Sequence, residues 1–124
     1  MSSRIESYQG LIVWKQAMEL VVAVCAPTSS WPTEELYGLT SQARRAGTSV
    51  PANIAEGYGR ESRNAYQQFL WIAQGSLKEL ETHLLVAQRI GIGDLEGITP
   101  LLQQSESVGK LLRLLIRKLS GEPA

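Results

Sequence analysis

The segment from Tyr37 to Arg60, YGLTSQARRAGTSVPANIAEGYGR, constrains the fold more than any other part of the chain. Leu39, Ala43, Ala46, Val50 and Ile54 recur at steps of three and four, the mark of one apolar helix face. Gly47, Thr48, Ala52 and Ala55 lie off that face, where a solvated helix ordinarily carries Glu, Lys or Gln. Small residues on several sides let other backbones come close. The segment therefore reads as a helix packed on more than one side, inside a bundle and against another subunit. Pro51 stands in its middle. A proline there removes one backbone hydrogen bond and presses on the carbonyl four residues back, at about 3 kcal/mol. The residue four back is Gly47, the least bulky choice. The expected result is a kinked helix, with a break into two helices as the alternative.

A polar stripe borders the apolar face: Gln42, Arg45, Ser49, Asn53 and Glu56 follow at helical spacing. Arg45 and Glu56 are too far apart to pair within one helix, so their partners are expected on other helices. One reading is a ligand or nucleic-acid site. The other is a structural polar network or subunit interface, because buried polar groups need partners. Nothing in the stripe spaces residues for catalysis, which favours the structural reading.

The same stretch carries a family resemblance. GLTSQARRAGTSVPANIAEGYGR resembles the signature of four-helix-bundle proteins encoded by intervening sequences in bacterial 23S rRNA genes. The likeness continues through YQQFLWIAQGSLKELETHLLVAQRIG and back to LIVWKQAMELV, covering roughly Leu11 to Gly91. It extends to the accessory variability determinant of diversity-generating retroelements, a similar bundle that works beside a reverse transcriptase. The resemblance implies a four-helix bundle and a ring of five subunits, and it implies no established reaction.

The rest of the chain supplies three more helices. The first is expected from about Leu11 to Ala26, with Leu11, Trp14, Met18, Val21 and Cys25 as its seam and Pro27 as its stop. Cys25 then reads as a buried packing thiol. Trp31 and Pro32 form a turn, with Trp31 stapling it to the core, and Thr33 with Glu34 and Glu35 resembles the start of the second helix. Gly57 and Gly59 end that helix, and Ser62 is a good N-cap for the next. The third helix is expected from Arg63 to Ile90, with Tyr66, Leu70, Ala73, Leu77, Leu80, Leu84 and Ala87 repeating every 3.5 residues. Trp71 and Leu85 lie off this seam, and Trp71 points to a second contact surface. His83 has no metal-binding spacing around it and reads as structural. Thr99 and Pro100 are expected to open the fourth helix, with Leu101, Ser105, Val108, Leu112, Leu115 and Leu119 as its seam. Four seams and short connections predict an all-α, antiparallel up-down-up-down four-helix bundle, with helix two kinked at Pro51.

Composition bounds the function. The 124 residues suit one domain, 1–124, with residues 1–10 and 121–124 as flexible ends. Twelve Lys and Arg balance twelve Asp and Glu, which argues against a dedicated nucleic-acid binder but permits local basic patches. The single cysteine excludes an internal disulfide and fits a reducing cytoplasm. No apolar run approaches the roughly 20 residues of a membrane span. One histidine, one cysteine and scattered carboxylates provide no catalytic constellation, no metal site and no cofactor site, so no enzyme is expected. Two basic clusters remain: Arg44, Arg45, Arg60 and Arg63 around helix two, and Lys110, Arg113, Arg117 and Lys118 on helix four. These support a homo-oligomeric scaffold or adaptor, pentameric by resemblance, that contacts RNA or an RNA-handling protein. The alternative is a protein-binding oligomer with no nucleic-acid role, which the neutral net charge favours.

Overall fold

In the computed structural model, which describes residues 7–36 and 38–121, four helices follow one another. They are α1 (Ile12–Thr28), α2 (Leu39–Tyr58), α3 (Arg63–Arg89) and α4 (Leu95–Ser120), with no strand among the described residues. Together they make an all-α four-helix bundle. Contacts between neighbouring helices run in opposite sense. From α2 to α3, Gly57 faces Tyr66 and Phe69, Ser49 meets Ser76, and Gly47 faces Leu80. From α3 to α4, Gln67 bonds the Ile116 carbonyl, Gln74 that of Gly109, and Glu81 takes a hydrogen bond from Ser105. Numbers that rise on one helix as they fall on the next mark antiparallel neighbours.

Helix α3 is the spine. Leu70, Ala73, Leu77, Leu80, Leu84 and Ala87 are all fully buried, the seam expected from the 3.5-residue period. Its start is capped by Ser62, whose hydroxyl accepts from the Ala65 amide at 3.1 Å. Its end is a Schellman turn. Gly91 takes a positive φ of 84°, and the Ile92 and Gly91 amides bond the Ala87 and Gln88 carbonyls.

On α2, Ala43, Ala46, Val50 and Ile54 are buried as the periodicity predicts, and Gly47 and Pro51 are buried beside them. The helix is continuous through Pro51, so the break into two helices does not occur. At Gly57 α2 and α3 approach closely: a β-carbon there would stand 2.8 Å from Cβ of Phe69. The expected helical start at Thr33 is instead an isolated 3-10 turn, Thr33–Glu35, with α2 beginning at Leu39.

Expectations for α1 and for the start of α4 are also corrected. The buried stripe of α1 is Val13, Ala17, Leu20, Val24 and Thr28; of the expected seam, Leu11 is buried just ahead of the helix and Trp14 is half-buried against the core, while Met18 and Cys25 are exposed. Small Ala17 and Thr28 let α1 lie close to its neighbours. Thr28 satisfies its buried hydroxyl by donating to the Val24 carbonyl at 2.7 Å. The helix also passes Pro27, and Ser29 and Ser30 hydroxyls hold its last carbonyls. Helix α4 begins four residues earlier than Thr99: Asp94 is the N-cap, its carboxylate accepting from the Gly97 amide at 2.8 Å. Pro100 falls inside the helix. Of the ends read as flexible, residues 1–6 and 122–124 lie outside the described residues. Tyr8–Gly10 form a 3-10 turn, and Tyr8 packs edge-on against Trp14 with ring centroids 5.2 Å apart. Trp31 is buried against the core, as expected of a staple.

Candidate nucleic-acid interface

The flank of α3 facing α4 carries Gln67 and Trp71 one turn apart. The matching flank of α4 carries Arg113, Ile116, Arg117 and Ser120. These six residues line a groove of about 330 Å³. Its floor is the buried Ile116, and Gln67 spans it by donating to the Ile116 carbonyl at 3.3 Å. Trp71 follows Leu70 in sequence and so falls just outside the seam, leaving its indole 56% exposed. Arg113 and Arg117, four residues apart, lie on the same side of α4, and both are exposed. Among the described residues neither forms an ion pair, whereas Lys110 is bound to Glu106 at 3.4 Å. An exposed indole in one groove with two unpaired guanidiniums offers a stacking surface and two phosphate-binding forks in one place. Lys118 is exposed but does not line this groove.

The four arginines around helix two do not form one cluster, although Arg44 and Arg45 border a common opening. Arg45 and Arg60 stand fifteen positions apart, about 22 Å of helix at roughly 1.5 Å per residue. Arg44 points at the end of α1: its Nε donates to Thr28 Oγ1 at 3.0 Å, and one Nη donates to Ser29 Oγ at 3.4 Å and the Cys25 carbonyl at 3.5 Å. A guanidinium there also complements the negative end of the α1 dipole. Arg60 pairs with Glu56 at 3.2 Å and lies 5.0 Å from the Phe69 ring centroid. Glu56 thus finds its partner four residues along the chain rather than on another helix. Arg63, exposed at the start of α3, has no partner among the described residues.

The polar stripe of α2 divides in two. Ser49 and Asn53 form a network: Asn53 Nδ2 donates to the carbonyl and hydroxyl of Ser49 at 2.8 and 2.9 Å, and Ser49 shares a hydrogen bond with Ser76 at 2.8 Å. These three residues share one hydrogen-bond network between α2 and α3. Gln42 and Arg45 instead open onto a second cleft, of about 390 Å³, shared with Glu79 and His83 of α3.

Sequence reasoning placed Arg113 and Arg117 on one stripe but read Trp71 separately, as a subunit contact. The antiparallel register joins them: the Gln67–Ile116 bond sets Trp71 opposite Arg113. Among the described residues no group of three His, Cys, Asp or Glu side chains could share a metal ion, and no helix is long and apolar enough to cross a membrane.

No curated protein matches the chain. A crystal structure of a protein of unknown function from the S23 ribosomal protein family of Bacteroides thetaiotaomicron is similar, with 26% identity and a TM-score of 0.79 over 86% of this chain and 96% of that one. The family model described as 23S rRNA-intervening sequence protein matches residues 9–114, spanning all but the end of the last helix, and the chain belongs to that family.

Proposed function

We propose that this protein is a non-enzymatic, homo-oligomeric cytoplasmic scaffold that binds single-stranded RNA along the α3–α4 groove. The observation that carries the reading is the exposed Trp71 beside the unpaired Arg113 and Arg117. Stacking on an aromatic side chain contributes about 1–3 kcal/mol per base, and every base has a face to stack. Phosphates on either side of that base meet the two guanidiniums. Self-association multiplies such a small site by avidity. The exposed small residues of α2, Thr48 and Ala52, are the face we propose for the subunit contact, with a bend at Pro51 as the expected means of shaping it. Five subunits is the number the family resemblance supports, and the likeness to a retroelement accessory protein points toward an RNA partner.

The test is a gel shift with a salt titration. Wild-type protein is expected to bind a short unstructured RNA at low salt. Arg113→Glu with Arg117→Glu should abolish binding, and Trp71→Ala should weaken it by about 1–3 kcal/mol while leaving the salt slope unchanged. No binding by the wild type at low salt would overturn the reading. Ile12, Val22 and Ile72 are exposed at 65, 68 and 50%, which favours a second reading in that event: a scaffold that binds protein alone.

A further inference from the structure

The cleft between α2 and α3 is built differently from the groove. Gln42, Arg45 and Ser49 contribute from α2, Glu79 and His83 from α3, and the buried Ala46 forms its base. Arg45 and Glu79 carry opposite charges and face one opening, yet they form no ion pair within 4 Å among the described residues. Gln42 and His83 likewise make no described hydrogen bond, while the Ser49 hydroxyl is already engaged by Ser76 and Asn53. A guanidinium and a carboxylate thus line one space of about 390 Å³ without pairing. That volume suits a single small ligand.

The chemistry of the two walls specifies what fits. A carboxylate only accepts hydrogen bonds, and a guanidinium only donates them. A ligand that bridges them must present paired acceptors on one edge and paired donors on another. Among the nucleobases guanine has that arrangement. Its O6 and N7 match an arginine fork, and its N1–H and amino group match a carboxylate. Adenine turns the lone pair of N1 toward the carboxylate and breaks the acceptor edge with its amino group. The pyrimidines lack N7. The half-buried imidazole of His83 and the methyl of Ala46 provide flat and apolar surface for the base itself. We infer that the α2–α3 cleft is a guanine-selective site, with Arg45 reading the O6/N7 edge and Glu79 the N1/amino edge.

This inference stands apart from RNA binding in the α3–α4 groove, since the cleft lies on the other flank of α3. The same base could come from a free nucleotide or from an unpaired guanosine in a strand. The test is calorimetric titration of the full chain with GMP, AMP, CMP and UMP. GMP is expected to bind at least about tenfold more tightly than the other three, the scale of one bidentate base contact. Glu79→Gln and Arg45→Gln, both on exposed side chains, should each lower GMP affinity at least about tenfold and leave the circular-dichroism spectrum unchanged. Arg113→Glu should leave GMP binding intact, which separates the two sites. A guanosine-containing oligonucleotide that outcompetes its adenosine counterpart assigns the site to a strand; equal competition by the two assigns it to the free nucleotide. No heat with GMP at millimolar concentration, equal affinity for GMP and AMP, or an unaffected Glu79→Gln variant would overturn the assignment.

Discussion

Ser105, fully buried on α4, donates its hydroxyl proton to the carboxylate of Glu81 on α3. The other oxygen of that carboxylate receives Lys78 at 3.2 Å. The carboxylate is mostly shielded from water, so the bond is charge-assisted in a low-dielectric setting. Ser105→Ala is expected to cost about 1.5–3 kcal/mol in urea denaturation, and Glu81→Ala a similar amount. Because both remove the same bond, the double variant should fall well short of the sum. Strict additivity would show that the bond contributes nothing.

One substitution is expected to have opposite signs at two glycines. At Gly57 a β-carbon would meet Phe69 Cβ at 2.8 Å and the Tyr66 carbonyl at 3.2 Å, so α2 and α3 must separate. Gly57→Ala should therefore cost about 1–3 kcal/mol, the usual range for overpacking. At Gly75, exposed in the middle of α3, nothing lies within 4 Å of the added carbon. Gly75→Ala should stabilise the fold by about 0.8–1 kcal/mol through helix propensity. Thermal melts of both variants check the pair. A stable Gly57→Ala protein would mean that the helices separate at no cost.

How far the fold was legible depended on how polar each helix is. In α3 one stripe of apolar positions repeats along the helix against Gln, Lys and Glu, and it is buried from Leu70 to Ala87, with Tyr66 partly buried at its start. In α1 the run IVWKQAMELVVAVCA offers two stripes at the same spacing, one position apart. Spacing alone admitted Trp14, Met18 and Cys25, while packing chose the stripe with Ala17, Leu20 and Thr28. Helix starts failed for a related reason: Thr99–Pro100 is a good opening locally, but Asp94 caps first and the helix absorbs the proline. The polar stripe on α2 was legible as a stripe, yet its division into a Ser49–Asn53 network and an open Gln42–Arg45 cleft depends on Ser76, Glu79 and His83 across the interface. The groove was hidden because Trp71 and Arg113 are forty-two positions apart and meet only through helix register.

Tyr66 makes the fold sensitive to alkali. Its hydroxyl is buried with no hydrogen-bond partner among the described residues, and its ring meets Tyr58 edge-on at 6.0 Å. Burial pushes its pKa from 10.0 up to about 12, and the neighbouring Tyr58 adds to the rise. The folded state therefore holds this proton more tightly than the unfolded chain. Below pH 10 both states are protonated and the contribution is complete; as pH rises toward 12 the unfolded chain ionises first and stability falls. Tyr66→Phe should flatten this part of the profile. It should also be neutral or stabilising at pH 7, because it deletes an unpaired buried hydroxyl. Urea midpoints measured between pH 9 and about 12 test both statements, and equal slopes for the two proteins would refute the first.

Arg44 and Arg113 should separate structural from binding arginines. Arg44 is committed to the end of α1, with Nε on the buried Thr28 hydroxyl and an Nη on Ser29 and the Cys25 carbonyl. Removing it leaves those acceptors without their donor, so Arg44→Ala should cost about 1–3 kcal/mol of stability. Lysine should not restore the loss, because a single ammonium cannot reproduce the fork that reaches several acceptors. Arg113 touches no such partner, so Arg113→Ala should change stability by less than about 0.5 kcal/mol. On RNA the order reverses. Arg113→Ala should weaken binding and reduce the salt slope by about one unit, the signature of one lost phosphate contact. Arg44→Ala, measured well below its melting temperature, should bind like wild type. If Arg44→Ala weakened RNA binding as much as Arg113→Ala, the contact surface would extend to the α1–α2 end, and the α3–α4 groove could not be the main site.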